Sequence, residues 1–178
     1  MLEVLGRHGA RATFFLIGRA AANHPGLVRS IAAMGHAVGN HSWDHSPLPP
    51  LSRKARRDQI RACGRAVAPH GVRLLRPPFG ATDPATLIEA RLLGYRVVNW
   101  SVDVKDWSNS DAAGMAHDLS ARVGPGSIVL LHDAAQPELA SREPMLSALD
   151  GFLTGARGRL RFVTLPELLR HGRCRRAL

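Results

Sequence analysis

The sequence has few lysines, few cysteines and no long apolar run. Its basic residues are nearly all arginine, since only Lys54 and Lys105 are lysine. Cys63 and Cys174 lie far apart and form no CxxC pair, so we expect two unpaired thiols that indicate no redox compartment. No uncharged apolar stretch approaches the ~20 residues that span a bilayer, and residues 1–8 lack a basic region followed by an apolar one. We therefore expect neither a transmembrane segment nor a secretory signal in these residues.

Length and composition indicate one ordinary globular domain. The chain has 178 residues, of which 45% are apolar and 21% charged, and a chain of this size buries about 70% of the surface that its unfolded form exposes. This balance excludes intrinsic disorder, a collagen-like repeat and a coiled coil. We predict one domain over residues 1–172, followed by a basic tail at residues 173–178.

A net charge of +10 is typical of proteins that bind nucleic acids, anionic membranes or polyanionic polymers. The arginines are scattered, however, with small clusters at Arg53–Arg61 and Arg170–Arg176. A solvated helix face and a basic tail explain these clusters, so we predict no nucleic-acid partner. A basic module that binds anionic polymers, with purely structural histidines, is an alternative; it would lose affinity steeply with salt and be indifferent to a chelator.

Short apolar runs rich in β-branched and aromatic residues alternate with helix-like segments, which predicts an α/β fold with a largely parallel sheet. The predicted strands are approximately Ala12–Ile17, Gly35–Gly39, Val72–Leu75, Tyr95–Val102, Ser127–Leu131 and Leu160–Val163. The predicted helices begin at Pro25, after a Ser52 cap, after Asp83-Pro84, and after a Thr164 capping box whose helix ends near His171.

Ionisable residues directly follow four of the predicted strands. They are His41 and His45 after the second strand, Arg76 after the third, Asp103 and Asp106 after the fourth, and His132 with Asp133 after the fifth. In a barrel of parallel strands all carboxyl-terminal strand ends open on one face, so we expect these side chains to converge in one mouth. Such convergence is typical of a catalytic site.

Each group also has a purely structural interpretation. His41 and His45 have the i, i+4 spacing of two ligands of one metal, but a chain with nine histidines produces such pairs by chance. The segment 76–80 is equally typical of a rigid turn, the segment 103–107 of a turn that ends a strand, and His132 of an imidazole that caps a carbonyl. Taken singly, none of these groups distinguishes a catalytic role from a structural one. Taken together and in this order, they favour the catalytic role.

The motifs HSWDH (41–45), RPPFG (76–80), DVKDW (103–107) and LLH (130–132) resemble, in this order, the second to fifth motifs of the polysaccharide deacetylase family, also called the NodB-homology domain or carbohydrate esterase family 4. The resemblance extends to ATFFLIG (12–18) and FVTL (162–165), so it runs nearly end to end. It implies a distorted (β/α) barrel of mostly parallel strands, seven-stranded in the family, with the first strand missing here.

The resemblance implies a metal-dependent hydrolase that removes acetyl groups from an acetylated polysaccharide or oligosaccharide, such as chitin, peptidoglycan or xylan. His41 and His45 would be ligands of a divalent metal, usually Zn²⁺, with Co²⁺ and Ni²⁺ as alternatives. His132 would be the general acid that protonates the leaving amine. Asp103 would hydrogen-bond that imidazole and fix its tautomer, with Asp106 as the less favoured candidate.

The family's remaining roles fall on residues of the third, fourth and fifth motifs. The backbone N–H of Phe79 would help to hold the oxyanion, and Trp107 and Leu130 would form apolar walls around the acetyl methyl and the sugar face. Arg76 would pair with the catalytic base. That base and the third metal ligand are aspartates of the family's first motif, a TFDDG-like strand end that these 178 residues do not contain.

Two explanations of the missing first motif stay open. In the first, Met1 is an internal start and the protein extends upstream through the first motif. In the second, the chain is truly truncated and either binds glycan without hydrolysing it or is a nonfunctional remnant. The predicted localisation depends on the same two explanations. The protein is secreted or in the cell envelope if an upstream signal exists, and is otherwise cytoplasmic. The sequence carries no signal for oligomeric state.

Overall fold

The computed structural model describes residues 1–134 and 141–171, which form two compact units. The four-stranded unit comprises residues 12–99 and 164–166. The two-stranded unit comprises residues 1–11, the described part of 100–163, and residues 167–171. The predicted basic tail at 173–178 and Cys174 lie outside the described residues.

Within the described residues all strand pairings are parallel, as the buried apolar runs predicted. In the four-stranded unit, the strands are β1 Thr13–Leu16, β2 Ala37–Asn40, β3 Gly71–Leu75 and β4 Arg96–Val97, in the order β1-β2-β3-β4. In the two-stranded unit, β5 Val102–Asp103 pairs with β6 Val129–Leu130. The predicted α/β class with mostly parallel strands is confirmed.

Eight helices of the described residues precede, connect or follow these strands. They are α1 Leu2–Arg7, α2 Gly18–Asn23, α3 Pro25–Ala33, α4 Arg53–Ala66, α5 Pro84–Leu92, α6 Ala112–Arg122, α7 Glu143–Gly155 and α8 Leu165–Arg170. Across the residues that the structure describes, no helix combines the length and apolar character needed to cross a membrane.

Two predicted strands differ from the structure. The predicted strand Tyr95–Val102 is broken, because Val98 N–H donates to the Leu75 carbonyl in the four-stranded unit, whereas Val102 N–H donates to the Ile128 carbonyl in the two-stranded unit. The segment 160–163 is not a strand; the Phe162 carbonyl accepts one bond from Arg11 N–H, and the Phe162 ring packs edge-on against Phe152. Apolar patterning finds buried segments but does not reveal where a ladder changes partner.

Each unit has its own apolar core. In the four-stranded unit, Leu48, Ile60, Leu75 and Ala90 form a buried cluster between α4, α5 and β3. In the two-stranded unit, α6 packs against α7, and the buried face of α7 includes Met145, Ala148, Leu149, Phe152 and Leu153. These cores fix the strand ends from which the loops with the motif residues emerge.

The predicted helix caps of α4 and α5 are present. The Ser52 hydroxyl accepts a hydrogen bond from Ala55 N–H at 3.3 Å, and the Asp83 carboxylate accepts one from Thr86 N–H at 2.7 Å. The bond from Thr86 holds the pKa of Asp83 below its usual value. Both caps satisfy N–H groups that the first turn of a helix leaves without a partner.

Replacing Asp83 by alanine should lower the free energy of unfolding by about 1 kcal/mol, because Thr86 N–H loses its acceptor at the start of α5. Urea unfolding measures this loss. Asp83→Asn is the matched control, since asparagine caps about as well as aspartate. Equal losses in the two variants would show that the cap contact is not what stabilises α5.

Candidate active site

The loop that carries the two motif histidines follows β2 directly. His41 N–H donates to the Leu16 carbonyl at 3.1 Å, which continues the β1–β2 pairing by one residue. Beyond it, Ser42 and His45 adopt left-handed backbone conformations, with φ of 65° and 68°. Non-glycine residues rarely adopt this conformation, so the loop has a defined and unusual shape.

Asn40 is fully buried and clamps this loop to α4. Its side-chain Nδ2 donates to the Ile60 carbonyl at 2.8 Å, and its Oδ1 accepts from Ser42 N–H at 3.0 Å. One amide therefore satisfies a buried carbonyl and a buried N–H together. Asn40 was not predicted from the sequence, although its position, a polar amide at the end of an apolar strand directly before HSWDH, was an available signal.

Gln59 of α4 forms a second clamp on the same loop. Its Oε1 accepts from Trp43 N–H at 2.9 Å and from Asp44 N–H at 3.2 Å, while its Nε2 donates to the Asp44 carboxylate at 2.8 Å. Hydrogen bonds from Ser46 and, more weakly, from Gln59 hold the pKa of Asp44 below its usual value. Gln59 was not predicted from the sequence either, because nothing in the motif spacing points to a helix residue 14 or more positions away.

The two imidazoles of the loop lie together. The ring centroids of His41 and His45 are 4.9 Å apart in an edge-to-face arrangement, and the His45 ring lies 4.7 Å from the Phe79 ring. His41 Nδ1 donates to the Arg76 carbonyl at 2.6 Å. Because a carbonyl only accepts, this bond assigns the proton of a neutral His41 to Nδ1, so Nε2 carries the lone pair that a metal ligand needs.

These two residues fit two ligand positions of a divalent metal. Metal-binding histidines typically donate their second ring N–H to a carbonyl or carboxylate, as His41 does. Within residues 1–134 and 141–171, no group of three or more histidine, cysteine, aspartate or glutamate side chains is arranged to hold a metal. The described residues thus offer two imidazoles that could serve as ligands, and not a complete ligand set.

Arg76, which follows β3, is buried. Its Nε donates to the Val98 carbonyl at 3.3 Å and its Nη2 to the Asn99 carbonyl at 3.0 Å, and its guanidinium stacks 4.4 Å from the Phe15 ring. Burial lowers the pKa of Arg76 to about 10, which leaves the side chain charged at neutral pH. Arg76 therefore holds the chain just after β4 with its side chain and orients His41 with its carbonyl.

Phe79 lies in the tight turn Pro78–Gly80 and is 68% exposed. Its φ of 59° is left-handed; two prolines precede it in the turn and Gly80, with a φ of 66°, follows it. The sequence predicted a role for its backbone N–H, and that role stays a prediction.

Gly18 lets the start of α2 pack against α4 and against the histidine loop. Its N–H donates to the Ser42 carbonyl at 2.9 Å. A Cβ at this position would lie 2.6 Å from Cys63 Cα and 2.8 Å from the Trp43 ring, closer than real contacts allow. A main-chain atom such as Cys63 Cα moves only if α4 itself moves.

Gly18→Ala should therefore lower the free energy of unfolding by about 1–3 kcal/mol, the usual cost of overpacking, although alanine favours helices. Gly26→Ala is the matched control, because a Cβ there would meet only Arg29 Nη2 at 3.8 Å, an ordinary contact. Thermal unfolding followed by circular dichroism measures both variants. A Gly18→Ala variant as stable as Gly26→Ala would contradict the close packing.

In the two-stranded unit, His132 is held by Asp106. The Asp106 side chain is completely buried; its Oδ2 accepts from the His132 backbone N–H at 2.8 Å and its Oδ1 contacts His132 Nδ1 at 2.9 Å. Since a carboxylate only accepts, His132 Nδ1 carries a proton, and Nε2 is the nitrogen that can exchange one. The imidazole is one-third exposed, as proton exchange with a substrate requires.

The structure corrects the predicted partner of His132, which is Asp106 rather than Asp103. Asp103 is the last residue of β5, and its Oδ1 accepts from Lys105 N–H at 2.7 Å in a local turn. Lys105 adopts a left-handed conformation with φ of 55°, which folds the Asp103 carboxylate onto its own turn and leaves the buried position to Asp106. The predicted Asp103–His132 contact is therefore wrong.

The two predicted apolar walls differ in exposure. Trp107, next to Asp106, is 46% exposed, whereas Leu130 at the end of β6 is buried. The wall role of both residues stays a prediction.

The family model "Polysaccharide deacetylase" matches residues 1–98, more than half of the chain. The chain therefore belongs to the polysaccharide deacetylase family, and the resemblance noted from its motifs is confirmed. This family, carbohydrate esterase family 4, is generally metal-dependent.

Individual relatives support the same assignment. The chitooligosaccharide deacetylase of Sinorhizobium fredii is 38% identical over 148 residues, which cover 80% of this chain and 69% of that protein. The peptidoglycan-N-acetylglucosamine deacetylase PgdA of Listeria monocytogenes is 34% identical over 173 residues, 94% of this chain but 35% of PgdA. This chain thus spans about a third of PgdA.

A solved structure agrees with the fold. The family 4 carbohydrate esterase from Streptomyces lividans, in complex with acetate, has a TM-score of 0.79 and 31% sequence identity, over 89% of this chain and 80% of that chain. The predicted NodB-like α/β fold class is confirmed by this likeness.

Proposed function

We propose that the chain removes acetyl groups from an acetylated polysaccharide, with the N-acetyl amino sugars of chitin or peptidoglycan as its substrate class. The observation that carries the proposal is the His132–Asp106 pair, a partly exposed imidazole held at its backbone and at Nδ1 by one buried carboxylate. The relatives named above act on chitooligosaccharide and on peptidoglycan N-acetylglucosamine, which supports this substrate class.

His132 is the general acid in this proposal. Asp106 keeps the proton of Nδ1 in place, so a protonated imidazole releases its proton from Nε2 to the nitrogen of the leaving amino sugar. A positioned acid of this kind contributes about 10²–10⁴-fold to a rate. Imidazole suits the task because its proton exchanges near neutral pH.

His41 and His45 would hold a divalent metal, with Zn²⁺ proposed first and Co²⁺ and Ni²⁺ as alternatives. When bound, such a metal polarises an acetyl carbonyl and lowers the pKa of a bound water. The chain's own contribution is orientation: the Arg76 carbonyl fixes the His41 ring, and Asn40 and Gln59 fix the loop.

The remaining roles concern substrate contacts. The Phe79 N–H would donate to the oxyanion as the carbonyl carbon becomes tetrahedral, a contact worth ~3 kcal/mol in comparable sites. Trp107 would stack on a sugar face, and Leu130 would border the acetyl methyl. Arg76 would act as a positioning residue through its bonds to the carbonyls of Val98 and Asn99.

Acetate release from acetylated chitooligosaccharide and from peptidoglycan, with and without added Zn²⁺, tests the proposal. We expect metal-stimulated release by a chain that carries these residues together with the two aspartates of the family's first motif, and none above background by the same chain with His132→Ala. Isothermal titration with the same oligosaccharide separates binding from turnover. Binding without release on either substrate, at any metal concentration, would overturn the hydrolase proposal in favour of a glycan-binding protein.

A further inference from the structure

Asp106 has a second charged neighbour besides His132. Arg142, the residue before α7, donates from Nη1 to the Asp106 backbone carbonyl at 3.1 Å, and the same nitrogen lies 3.6 Å from the Asp106 Oδ2. The Arg142 side chain is 11% exposed and the Asp106 side chain is fully buried. One guanidinium nitrogen thus contacts both the main chain and the carboxylate of the residue that holds the imidazole.

A buried carboxylate needs a compensating positive charge, because its desolvation costs several kcal/mol. Among the described residues, the ion pairs of Asp106 are with His132 and Arg142. The charge of His132 disappears whenever the imidazole gives up its proton, whereas a guanidinium keeps its charge. In the proposed reaction, Arg142 is the partner whose charge persists after His132 has acted as an acid.

Arg142 also occupies this position at a cost. Its Nε and Nη2 are buried and have no hydrogen-bond partner within the described part of the chain. Buried donors without partners destabilise a fold by about 1–3 kcal/mol each, so natural proteins retain few of them. An arginine that served only to tether the start of α7 to the loop after β5 would not need to be buried with two donors unused.

We propose that Arg142 is a positioning residue that holds the Asp106 carboxylate in the orientation that contacts His132. The proposal rests on the proposed function for the role of His132. Arg142 itself touches no reacting atom; it acts through Asp106. Its charge, rather than its single bond to the Asp106 carbonyl, is the property that matters.

Two substitutions separate charge from tethering. Arg142→Gln removes the charge but retains an amide donor for the Asp106 carbonyl, whereas Arg142→Lys retains the charge. We expect Arg142→Gln to lower kcat by about 10–100-fold, as other partners that orient a functional histidine do, with KM changed less than about twofold. Arg142→Lys should recover most of this loss.

A matched control is available in the same unit. Arg122 of α6 donates from Nη1 to the Asp103 backbone carbonyl at 2.8 Å, but no ion pair links it to a carboxylate among the described residues. Arg122→Gln should leave kcat and KM unchanged. Circular dichroism of all variants checks that each is folded.

The proton NMR signal of His132 Nδ1–H gives a readout that does not depend on activity. A proton shared with a carboxylate resonates far downfield, and its loss in His132→Ala assigns it. We expect this signal to shift and to exchange faster with water in Arg142→Gln, and to be native-like in Arg142→Lys and Arg122→Gln. An unchanged signal in a folded Arg142→Gln would overturn the inference. A chain that also carries the first-motif aspartates but has no deacetylase activity would overturn the proposed function instead, and the NMR comparison would still decide the role of Arg142.

Discussion

Changing Asp106 to asparagine should lower kcat for deacetylation by about 10²–10⁴-fold, the range for loss of a positioned general acid. Both carboxylate oxygens accept a hydrogen bond from His132, one from the backbone N–H and one from Nδ1. Asparagine has one acceptor oxygen and an NH₂ group. In one of the two contacts the NH₂ group would therefore face an N–H of His132, and two donors cannot form a hydrogen bond. To avoid this clash the imidazole must turn or move its proton from Nδ1 to Nε2, and the wrong tautomer no longer exchanges its proton as the reaction requires.

The measurement is acetate release under substrate saturation, with KM determined alongside. Asp103→Asn is the informative comparison, because the Asp103 carboxylate accepts from Lys105 N–H and not from His132. We expect Asp103→Asn to lose much less activity than Asp106→Asn. The opposite ranking would restore Asp103 as the partner of His132 in the working enzyme.

Replacing Asn40 by alanine should cost about 2–4 kcal/mol of unfolding free energy, because it leaves the buried Ser42 N–H without its acceptor and removes the additional hydrogen bond to the Ile60 carbonyl. The same change releases the loop that carries His41 and His45. We therefore also expect the affinity for Zn²⁺ to fall by about tenfold or more, as it does when residues that orient metal ligands are removed.

Urea unfolding and zinc titration measure the two effects separately. Asn109→Ala is the control, since Asn109 also accepts from a backbone N–H, that of Asp111 at 2.9 Å, but at an exposed position. It should change stability by less than about 0.5 kcal/mol and leave zinc affinity unaltered. Should Asn40→Ala behave like Asn109→Ala, the clamp would contribute nothing to the loop.

The sequence was sufficient to predict those parts of the fold that depend on local pattern. Parallel strands, the start of α3 at Pro25 and the caps at Ser52 and Asp83 follow from apolar runs and from side chains that satisfy the first turn of a helix. The broken strand at 95–102 and the absent strand at 160–163 depend on which backbone lies alongside, and local pattern carries no information about that.

The residues of the candidate site also fall into those that the sequence could predict and those that it could not. The histidines could be predicted because their types and spacing point to metal binding and proton transfer. The choice between Asp103 and Asp106 could not, because it depends on the left-handed conformation of Lys105, which its residue type does not favour. Asn40, Gln59 and Arg142 were missed for a further reason: each acts on a loop through contacts made only after the chain has folded.

Four of the described non-glycine residues have a left-handed backbone conformation: Ser42, His45, Phe79 and Lys105. This conformation limits which substitutions these positions can accept during evolution. β-Branched replacements at these four positions would distort the loops, whereas glycine or asparagine would enter at little cost. An asparagine at His45 would therefore preserve the loop while removing an imidazole. Descendants of such a chain could keep the shape of a deacetylase long after losing its chemistry, so a likeness of loop conformation alone is a poor guide to inherited activity.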